Sequence, residues 1–500
     1  MYPVYRQVLT QALAAPDKAA VISGRRTLTY SQLVSDVARC ATNLIARYGI
    51  RPGDRIVLLA DSNADFVCAY FAVHSIGAVC APLDPHINTD RLADIVGRLA
   101  PRLIVADATL PAQRAPQIRF DELLHADLPA PGPAATDTAL ERPADILFTT
   151  GTTGRSKGVV LSQRALATSS SHINAFIGTR SHAVEVLPLP LSHSFGLGRV
   201  RCVLSLGATL VLVPGLANPA KVSAAMLQHR ASGFASVPTG IAILLQDEGR
   251  ILAPFADQLE YVEIGSSPMP IEHKKLLMRL LPKTRICMHY GLTEASRSAY
   301  ISFHDDKDKL DSIGRPSRGV EMRVTAIPDE DAVDAQGDVQ GQIEIRGGHL
   351  MSEYWQDPDL TEKAMHGGWL RTGDIGRRDE DGYFYLSTRI SDIINVGGRK
   401  VSPNEIEDTL LKHPAIEECV CLGIPDPQGL SGQIIVVYLV GRPGAGALPA
   451  FSELAKLLRQ SLEPHKIPRQ FHWVEQIPKS GSGKVLRQQL RDSSANLSSP

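Results

Sequence analysis

The sequence lacks an excess of charge of either sign. Its 500 residues include 52 lysines and arginines against 53 aspartates and glutamates, which gives a formal net charge of −1. The basic residues are scattered along the chain and form no stripe. Because nucleic acids and anionic membrane surfaces attract concentrated positive charge, no nucleic acid is expected as a partner.

Long apolar runs are missing as well, and no signal peptide is expected. No apolar run approaches the ~20 residues that a membrane-spanning helix needs, so no integral membrane segment is expected. The N-terminus lacks the charged and apolar blocks of a signal peptide. These absences predict a cytoplasmic location.

Cysteine is scarce, with seven residues that are odd in number and widely spaced. The close pair Cys419 and Cys421 has the spacing of two side chains on one face of a strand, and not that of a CxxC metal or redox motif. No zinc site is predicted. This usage is typical of a reducing compartment.

The hydrophobic pattern predicts an α/β protein of more than one domain, since 500 residues are too many for one core. Aliphatic runs at 56–59, 103–105 and 210–213 indicate strands buried on both faces, as in parallel sheets. Helical patterns lie at 31–46, with Ser31 as the expected N-cap, and at 219–229. We expect a large N-terminal domain, residues 1–390, of mixed, mainly parallel sheets flanked by helices.

A smaller C-terminal α+β domain is expected at residues 391–492. Strand, turn and helix patterns follow one another closely there, over about 100 residues, which is enough for a separate domain. Residues 493–500 are predicted to be a disordered tail. The Ala- and Pro-rich segment 129–138 is predicted to be a linker or surface loop.

Residues 149–158 combine three glycines, four threonines and one lysine. Glycine lets the backbone approach an anion, while hydroxyl and N–H groups donate to phosphate oxygens and lysine adds charge. The segment is not a Walker A motif, because a glycine and not Ser or Thr follows the lysine. A flexible surface turn is the alternative. The candidate nucleotide-binding residues are Thr149, Thr150, Gly151, Thr152, Thr153, Gly154 and Lys157.

A second candidate segment, Tyr290 to Glu294, follows a predicted strand at 284–288. It therefore lies at the strand end where parallel sheets usually bind ligands. Tyr290 can stack on a base, Gly291 allows close approach, and Glu294 offers oxygen ligands for Mg²⁺ beside phosphates. Thr293 belongs to the same segment. The alternative is a strand-end turn with a solvated glutamate.

Two further segments carry charged groups. Asp374 and Arg389 can both reach a ribose, the carboxylate accepting from vicinal hydroxyls and the guanidinium donating. A surface ion pair is the alternative. Lys484 is flanked by glycines near the C-terminus, and a solvated tail is its alternative.

These segments occur together and in order, and the series resembles the adenylate-forming superfamily of acyl-CoA synthetases, peptide-synthetase adenylation domains and luciferases. The resemblance extends from about residue 10 to about residue 490. It implies that the loop at 149–157 grips the ATP phosphates, Tyr290 stacks on adenine and Glu294 binds Mg²⁺. Asp374 and Arg389 would hold the ribose.

The resemblance also implies catalytic and pocket residues. Lys484 would be the adenylation lysine, placed between the substrate carboxylate and the α-phosphate. His193 matches a histidine segment beside the carboxylate pocket, with a core histidine as its alternative. The pocket floor would include Gly265, Ser266, Ser267 and His289, with residues 234–240.

A mobile C-terminal domain is a further implication. It would rotate after adenylation, pivoting at Ser391, to bring Gly397 and Gly398 toward a thiol. The sequence departs from the usual pattern at Ser156, where proline commonly precedes the lysine, and at Ser391, where Asp or Lys is common. Neither position carries a group that takes part in the chemistry.

The implied function is an ATP-dependent carboxylate:thiol ligase with Mg²⁺. It would convert a carboxylic acid to an acyl-AMP with release of pyrophosphate, and pass the acyl group to coenzyme A or to the pantetheine of a separate carrier protein. No acidic residue stands out to pair a substrate ammonium, which favours a fatty or aryl acid. The alternatives are an amino-acid-activating enzyme that loads a carrier protein, an enzyme that stops at or oxidises the adenylate, and a non-catalytic nucleotide-binding protein.

Overall fold

The structure is a computed structural model of the chain. It describes residues 2–108, 110, 113–124, 139–149, 156–216, 218–326, 340–389, 392–396, 399–427, 433–445, 447–480, 485–487 and 489–491. The predicted linker at 129–138 and the predicted tail at 493–500 lie outside these residues. In the part of the chain that is described, no helix is both long and apolar enough to cross a membrane.

Helices alternate with strands along most of the chain. The helices, in chain order, are α1 (Val4–Ala14), α2 (Tyr30–Ala46), α3 (Ala64–Ser75), α4 (Thr89–Leu99), α5 (Phe120–Leu124), α6 (Gln163–Ile177), α7 (Ser194–Ser205), α8 (Pro219–Gln228), α9 (Pro238–Leu244), α10 (Gln246–Gly249), α11 (Ile271–Leu280), α12 (Pro358–Ala364), α13 (Pro403–Leu410) and α14 (Phe451–Arg459). Short 3₁₀ turns lie at Ala253–Phe255, Lys307–Lys309 and Pro464–Lys466.

The strands form several sheets. In chain order they are β1 (Ala19–Ser23), β2 (Arg26–Thr29), β3 (Arg55–Leu59), β4 (Val79–Leu83), β5 (Leu103–Ala106), β6 (Gln117–Ile118), β7 (Pro143–Thr149), β8 (Lys157–Ser162), β9 (Val184–Leu187), β10 (Thr209–Leu212), β11 (Gly233–Ser236), β12 (Tyr261–Ile264), β13 (Arg285–Tyr290), β14 (Ala299–Ser302), β15 (Arg315–Pro316), β16 (Val320–Thr325), β17 (Gly341–Gly347), β18 (Glu353–Tyr354), β19 (Met365–His366), β20 (Trp369–Arg378), β21 (Phe384–Arg389), β22 (Ile394–Val396), β23 (Arg399–Val401), β24 (Ile416–Pro425), β25 (Gln433–Gly441) and β26 (Gln470–Trp473).

The chain folds into two compact units. The first comprises Met1–Met322 and Ile345–Arg371, and the second comprises Arg323–Glu344 and Thr372–Pro500. The second unit therefore begins before the predicted domain boundary. That boundary falls at residues 390 and 391, outside the described residues, and it stays a prediction.

Two large sheets build the first unit. One has the order β15-β14-β13-β12-β11-β9-β10-β1-β2 and the other the order β18-β8-β7-β4-β3-β5-β6. Most neighbours are parallel, and antiparallel pairs occur toward the edges, at β1 with β2, β13 with β14, and β7 with β8. The predicted α/β class with mixed, mainly parallel sheets flanked by helices is confirmed.

Each large sheet has its own hydrophobic core. Val222, Ile241 and Leu277 bring helices α8, α9 and α11 onto the nine-stranded sheet. Ile95 of α4 packs against Val57 and other buried residues of the seven-stranded sheet. Helices therefore cover the apolar faces of both sheets, as buried parallel strands require.

Most of the predicted elements are present, with shifted ends. The aliphatic runs correspond to β3, β5 and β10, and the helical patterns to α2 and α8, which has proline in its first turn. The expected Ser31 cap of α2 is wrong. Thr29 caps the helix, because its side chain accepts from the Gln32 amide while the Gln32 side chain accepts from the Thr29 amide, a reciprocal capping box.

The second unit contains an antiparallel pair, β24 and β25, extended by β26, with α13 and α14 nearby in the chain. Cys419 and Cys421 lie in the core cluster with Ile406 and Leu454 of the two helices. The intervening Val420 belongs to the cluster on the opposite face. The prediction that both cysteines share one face of a strand is confirmed, and all seven cysteines are free and buried.

Candidate active site

The candidate phosphate loop closes a β-hairpin. Strands β7 and β8 are antiparallel, and their last pair is Thr149 opposite Lys157. Residues 150–155, which include Thr150, Gly151, Thr152, Thr153 and Gly154, lie outside the described residues, and their roles stay predictions. Both ends of the loop are therefore fixed by neighbouring strands, β7 and β8, of the seven-stranded sheet.

Two arginines of α4 hold the residue that ends the loop. Arg91 Nε donates to Ser156 Oγ at 2.9 Å, and Arg98 donates to the Ser156 carbonyl at 2.8 Å. Ser156 itself is buried. The sequence analysis missed both arginines, because they lie far from the loop in the chain and belong to no motif.

Lys157 and Glu294 meet at Tyr354. Lys157 Nζ lies 5.5 Å from the centroid of the Tyr354 ring, and the Tyr354 hydroxyl donates to Glu294 Oε1 at 2.8 Å. Tyr354 is held in place because β18 pairs with β8. Burial, reinforced by the Glu294 charge, raises the pKa of Tyr354, so its hydroxyl stays a donor. The structure thus brings a predicted phosphate ligand and the predicted Mg²⁺ ligand together.

The turn after β13 requires a glycine. The strand extends through Tyr290, two residues beyond its predicted end, and Tyr290 pairs with Ala299 of β14. A Cβ on Gly291 would lie 2.4 Å from the Arg297 amide nitrogen. Thr293 and Glu294 follow as half-buried residues.

The predicted pocket residues also gather in the first unit. A Cβ on Gly265 would lie 2.1 Å from the His289 ring, so only glycine allows the observed packing. Ser266 adopts a φ of 88°, a left-handed conformation that is costly for a residue other than glycine. Ser267 follows it and is half-buried. Strain of this kind is common at ligand sites.

His193 lies at the start of α7, the helix that contacts the predicted pocket residue His289. It is the N-cap residue of α7 and is half-buried. Two residues later, the Phe195 ring meets the His289 ring edge-on, with 4.7 Å between their centroids. The histidine segment and the residues predicted to line the pocket are therefore neighbours, and their roles stay predictions.

A fully buried carboxylate, Glu263, contacts the predicted pocket residue His289. Its Oε1 accepts from Arg297 Nε at 3.2 Å and from the Tyr300 hydroxyl at 2.9 Å, and it lies 3.0 Å from His289 Nδ1. Its Oε2 lies 3.1 Å from Arg199. Burial alone would raise the pKa of Glu263, but the charges of Arg297 and Arg199 and the His289 contact outweigh burial and hold it below its usual value.

His289 is neutral in this setting. Burial lowers its pKa, and this effect outweighs the opposite one of Glu263. Arg297 also donates to the carbonyls of Ser194 and Phe195, at 3.3 and 3.1 Å. It therefore links the turn after β13 to the start of α7. The sequence analysis missed Glu263 and Arg297, although a glutamate inside the apolar strand β12 was a signal.

Helix α7 is tied to both large sheets. Arg199 donates through Nε to Glu185 of β9 at 2.9 Å. Arg201 donates to Asp145 of β7 at 3.1 Å, and His74 Nε2 lies 2.8 Å from the same carboxylate. All of these side chains are buried. The position of the segment that follows His193 is therefore set by two sheets at once.

In the second unit, Asp374 and Arg389 are cross-strand neighbours on β20 and β21. Arg389 Nε lies 2.8 Å from Asp374 Oδ1, and the two side chains are 49% and 4% exposed. The Asp374 amide donates to the Thr372 hydroxyl at 3.0 Å. The ion pair considered as the alternative is present, and the ribose role of both residues stays a prediction.

Besides the loop residues, four further predicted residues lie outside the described part of the chain: Ser391, Gly397, Gly398 and Lys484. Their roles as hinge, thiol channel and adenylation lysine stay predictions.

Two family models match the sequence. The model described as AMP-binding enzyme matches residues 8–355, and the model described as AMP-binding enzyme C-terminal domain matches residues 405–484. The first match covers more than half of the chain.

Relatives with named activities match over nearly their full lengths. A feruloyl-CoA synthase from Amycolatopsis sp is 28% identical over 491 residues, covering 96% of this chain and 97% of that protein. A long-chain-fatty-acid–CoA ligase from Mycobacterium tuberculosis is 28% identical over 482 residues, covering 93% of each.

Solved structures of o-succinylbenzoate coenzyme A synthetase from Bacillus subtilis have the same fold. The complex with the acyl-adenylate intermediate OSB-AMP matches with a TM-score of 0.85 and 25% identity, covering 98% of both chains. The complex with ATP and magnesium ion matches with a TM-score of 0.84 and 26% identity, covering 97% of this chain and 99% of that one.

Proposed function

We propose that this chain, which belongs to the AMP-binding enzyme family and is an acid–thiol ligase of the acyl-CoA synthetase type, acts on an aryl or fatty acid. It would activate this acid and transfer the acyl group to free coenzyme A. The reaction has two steps. The substrate carboxylate attacks the α-phosphorus of ATP, and the bond to pyrophosphate breaks, which leaves an acyl-AMP. The thiol then attacks the acyl carbon and AMP leaves.

The residues near the hairpin loop fit the first step. The carboxylate and ATP are both anions, so their approach requires fixed positive charge and hydrogen-bond donors in the site. Lys157 and the loop at 149–154 would bind the phosphates, Tyr290 would stack on adenine, and Asp374 with Arg389 would hold the ribose. Lys484 would stabilise the charge that develops on the α-phosphate.

Glu294 fits the expected magnesium ligand. Magnesium prefers carboxylate oxygens, and one oxygen of Glu294 is already oriented by the Tyr354 hydroxyl at 2.8 Å. Bound Mg²⁺ would offset the negative charge of the phosphates. A solved neighbour holds ATP and magnesium ion, which supports Mg²⁺ as the cofactor.

The burial and ion pairing of Glu263 support an aryl or fatty acid as the substrate. This carboxylate contacts His289 of the pocket wall, is 0% exposed, and is engaged by Arg199 and Arg297. It is therefore engaged within the protein and not available to pair a substrate ammonium, and the side chains beside it are the neutral His289 ring and, against His289, the Phe195 ring. An amino-acid substrate would lack its usual partner here, whereas an aryl or fatty acid needs none.

Free coenzyme A is the acceptor that the relatives support, since both are named for CoA thioester formation. A separate carrier protein is the alternative acceptor. Residues 391–492 are proposed to form the domain that rotates between the two steps, with Ser391 as pivot and Gly397 and Gly398 beside the thiol. A cytoplasmic location is proposed as well, supported by seven free and buried cysteines.

The test is carboxylate-dependent exchange of pyrophosphate into ATP across aryl, fatty and amino acids, followed by thioester analysis with and without coenzyme A. We expect exchange with an aryl or fatty acid and a CoA thioester as product. Exchange only with amino acids, or adenylate without CoA transfer, would contradict the proposal. Silence with every acid would favour a non-catalytic protein.

Lys484→Ala separates chemistry from binding. It is expected to abolish exchange while ATP still binds in equilibrium dialysis, because the lysine acts on the charge that develops during the reaction. Lys479→Ala is the matched control, since Lys479 forms an ion pair with Glu418 at 2.6 Å within the second unit. Full exchange in Lys484→Ala would refute the assigned role.

A further inference from the structure

We propose that Arg91 is a positioning residue for ATP: it fixes the C-terminal end of the phosphate loop through the Ser156 hydroxyl. This inference deepens the proposed function and depends on it. None of the motif segments contains Arg91.

One residue of the loop receives two guanidinium groups. Arg91 donates to the Ser156 hydroxyl at 2.9 Å and Arg98 donates to the Ser156 carbonyl at 2.8 Å. The two arginines are seven positions apart on α4, so they lie on the same face of the helix. Both the side chain and the backbone of Ser156 are thereby held, immediately before Lys157.

The sequence explains why such a hold is needed here. A proline at position 156 would restrict φ to about −65° through its ring. Serine leaves this torsion free, so a loop that must present its N–H groups to phosphates would lose more conformational entropy on binding. The hydrogen bond from Arg91 to the serine hydroxyl supplies a restraint that the side chain of residue 156 does not provide by itself.

The two arginines differ in the other contacts that they form. Arg98 forms an ion pair with Asp94 on the same helix, and its guanidinium lies 5.7 Å from the Phe148 ring centroid. Its backbone carbonyl also accepts from the Trp355 indole at 3.3 Å. Among the described residues, Arg91 forms no ion pair. Arg91 therefore acts on the loop through the Ser156 hydroxyl, whereas Arg98 also takes part in the surrounding packing.

The experiment measures the dissociation constant of ATP by equilibrium dialysis, and the KM of the acid, for the full-length protein. Arg91→Ala is expected to weaken ATP binding on the order of tenfold, because a hydrogen bond from a charged donor is lost. The KM of the acid is expected to stay within about twofold.

Ser156→Ala distinguishes position from charge. It removes the hydroxyl and leaves the arginine, so it should weaken ATP binding as much as Arg91→Ala does. The double variant should be no weaker than either single one, because both changes remove the same contact. An unchanged ATP affinity in Ser156→Ala, or additive losses in the double variant, would overturn the positioning role.

Arg102→Ala is the matched control, since Arg102 is exposed and lies just after the same helix. It should bind ATP like the unmodified protein. If Arg91→Ala behaves like Arg102→Ala in a protein that performs pyrophosphate exchange, the inference fails and the proposed function stands. If the unmodified protein does not bind ATP at all, the proposed function itself fails.

Discussion

Replacing Glu263 by glutamine is expected to destabilise the first unit by about 3 kcal/mol. Glu263 is 0% exposed and is contacted by Arg199 at 3.1 Å and by Arg297 at 3.2 Å. Removing one partner of a buried ion pair typically costs about 3–5 kcal/mol, because the other charges stay buried without compensation. Glutamine keeps one acceptor oxygen, which places the expected loss at the lower end.

Scanning calorimetry measures this loss. For a unit of this size, a change of 3 kcal/mol corresponds to a Tm lower by about 5 °C. Glu260→Gln is the control, because Glu260 lies just before the same strand and its side chain is 48% exposed. A loss below about 0.5 kcal/mol in Glu263→Gln would show that the carboxylate does not stabilise the two arginines.

The pH dependence gives a second test of the same carboxylate. The folded pKa of Glu263 is lowered, so its stabilising contribution is present above the unfolded pKa of about 4.3 and is lost as pH falls below it. The stability difference between the unmodified protein and Glu263→Gln should therefore be constant from pH 8 to pH 6 and narrow below about pH 4. A difference that grew on acidification would refute this reasoning.

Gly265→Ala is expected to raise the KM of the acid at least about tenfold and to cost about 1–3 kcal/mol of stability, because the new Cβ would lie 2.1 Å from the His289 ring; steady-state kinetics and calorimetry measure both. Tyr354→Phe is expected to raise the Mg²⁺ concentration for half-maximal exchange about tenfold, because it removes the hydrogen bond that orients Glu294; a magnesium titration of the exchange rate checks this. Burial and the charge of Arg297 lower the pKa of His172 to about 4, so the unfolded chain binds more protons than the folded one between about pH 6.5 and pH 4. When the pH is lowered from 7 to 5, the free energy of unfolding should consequently fall by about 2 kcal/mol less in His172→Gln than in the unmodified protein, as measured by urea unfolding.

Each of these changes has a matched control in the chain. A Cβ on Gly348 would meet its nearest atom at 3.4 Å, an ordinary contact, so Gly348→Ala should leave the KM of the acid unchanged. Tyr48→Phe should leave the magnesium titration unchanged. His366 is exposed, so His366→Gln should follow the pH profile of the unmodified protein. Equal effects in a variant and its control would contradict the corresponding prediction.

Local patterns predicted the elements well where one physical rule dominates. Aliphatic runs identified β3, β5 and β10, because strands buried on both faces need apolar side chains at every position. The cap of α2 was misassigned because Thr29 and Ser31 are both good caps. The reciprocal bond between Thr29 and Gln32 decides between them, and the spacing of these two residues was visible in the sequence.

Some residues of the candidate site were predicted from the sequence and others were missed. Lys157, Glu294 and His289 were predicted because they belong to segments that resemble a family. Tyr354 and Arg91 were not, because they contact the site through packing between residues far apart in the chain. A charged residue inside an apolar strand, such as Glu263, indicates that a buried partner of opposite charge exists. The sequence does not show which arginine that partner is.

The placement of α7 has a consequence for how the first unit unfolds. Arg199 and Arg201 are two positions apart, so their side chains leave the helix about 200° apart, and one pairs with Glu185 of the nine-stranded sheet while the other pairs with Asp145 of the seven-stranded sheet. If either sheet separated from the helix, an arginine and a carboxylate that are now paired would lose each other while still partly surrounded by apolar side chains. The two sheets are thereby joined into a single cooperative block, and heat or denaturant should melt them in one transition.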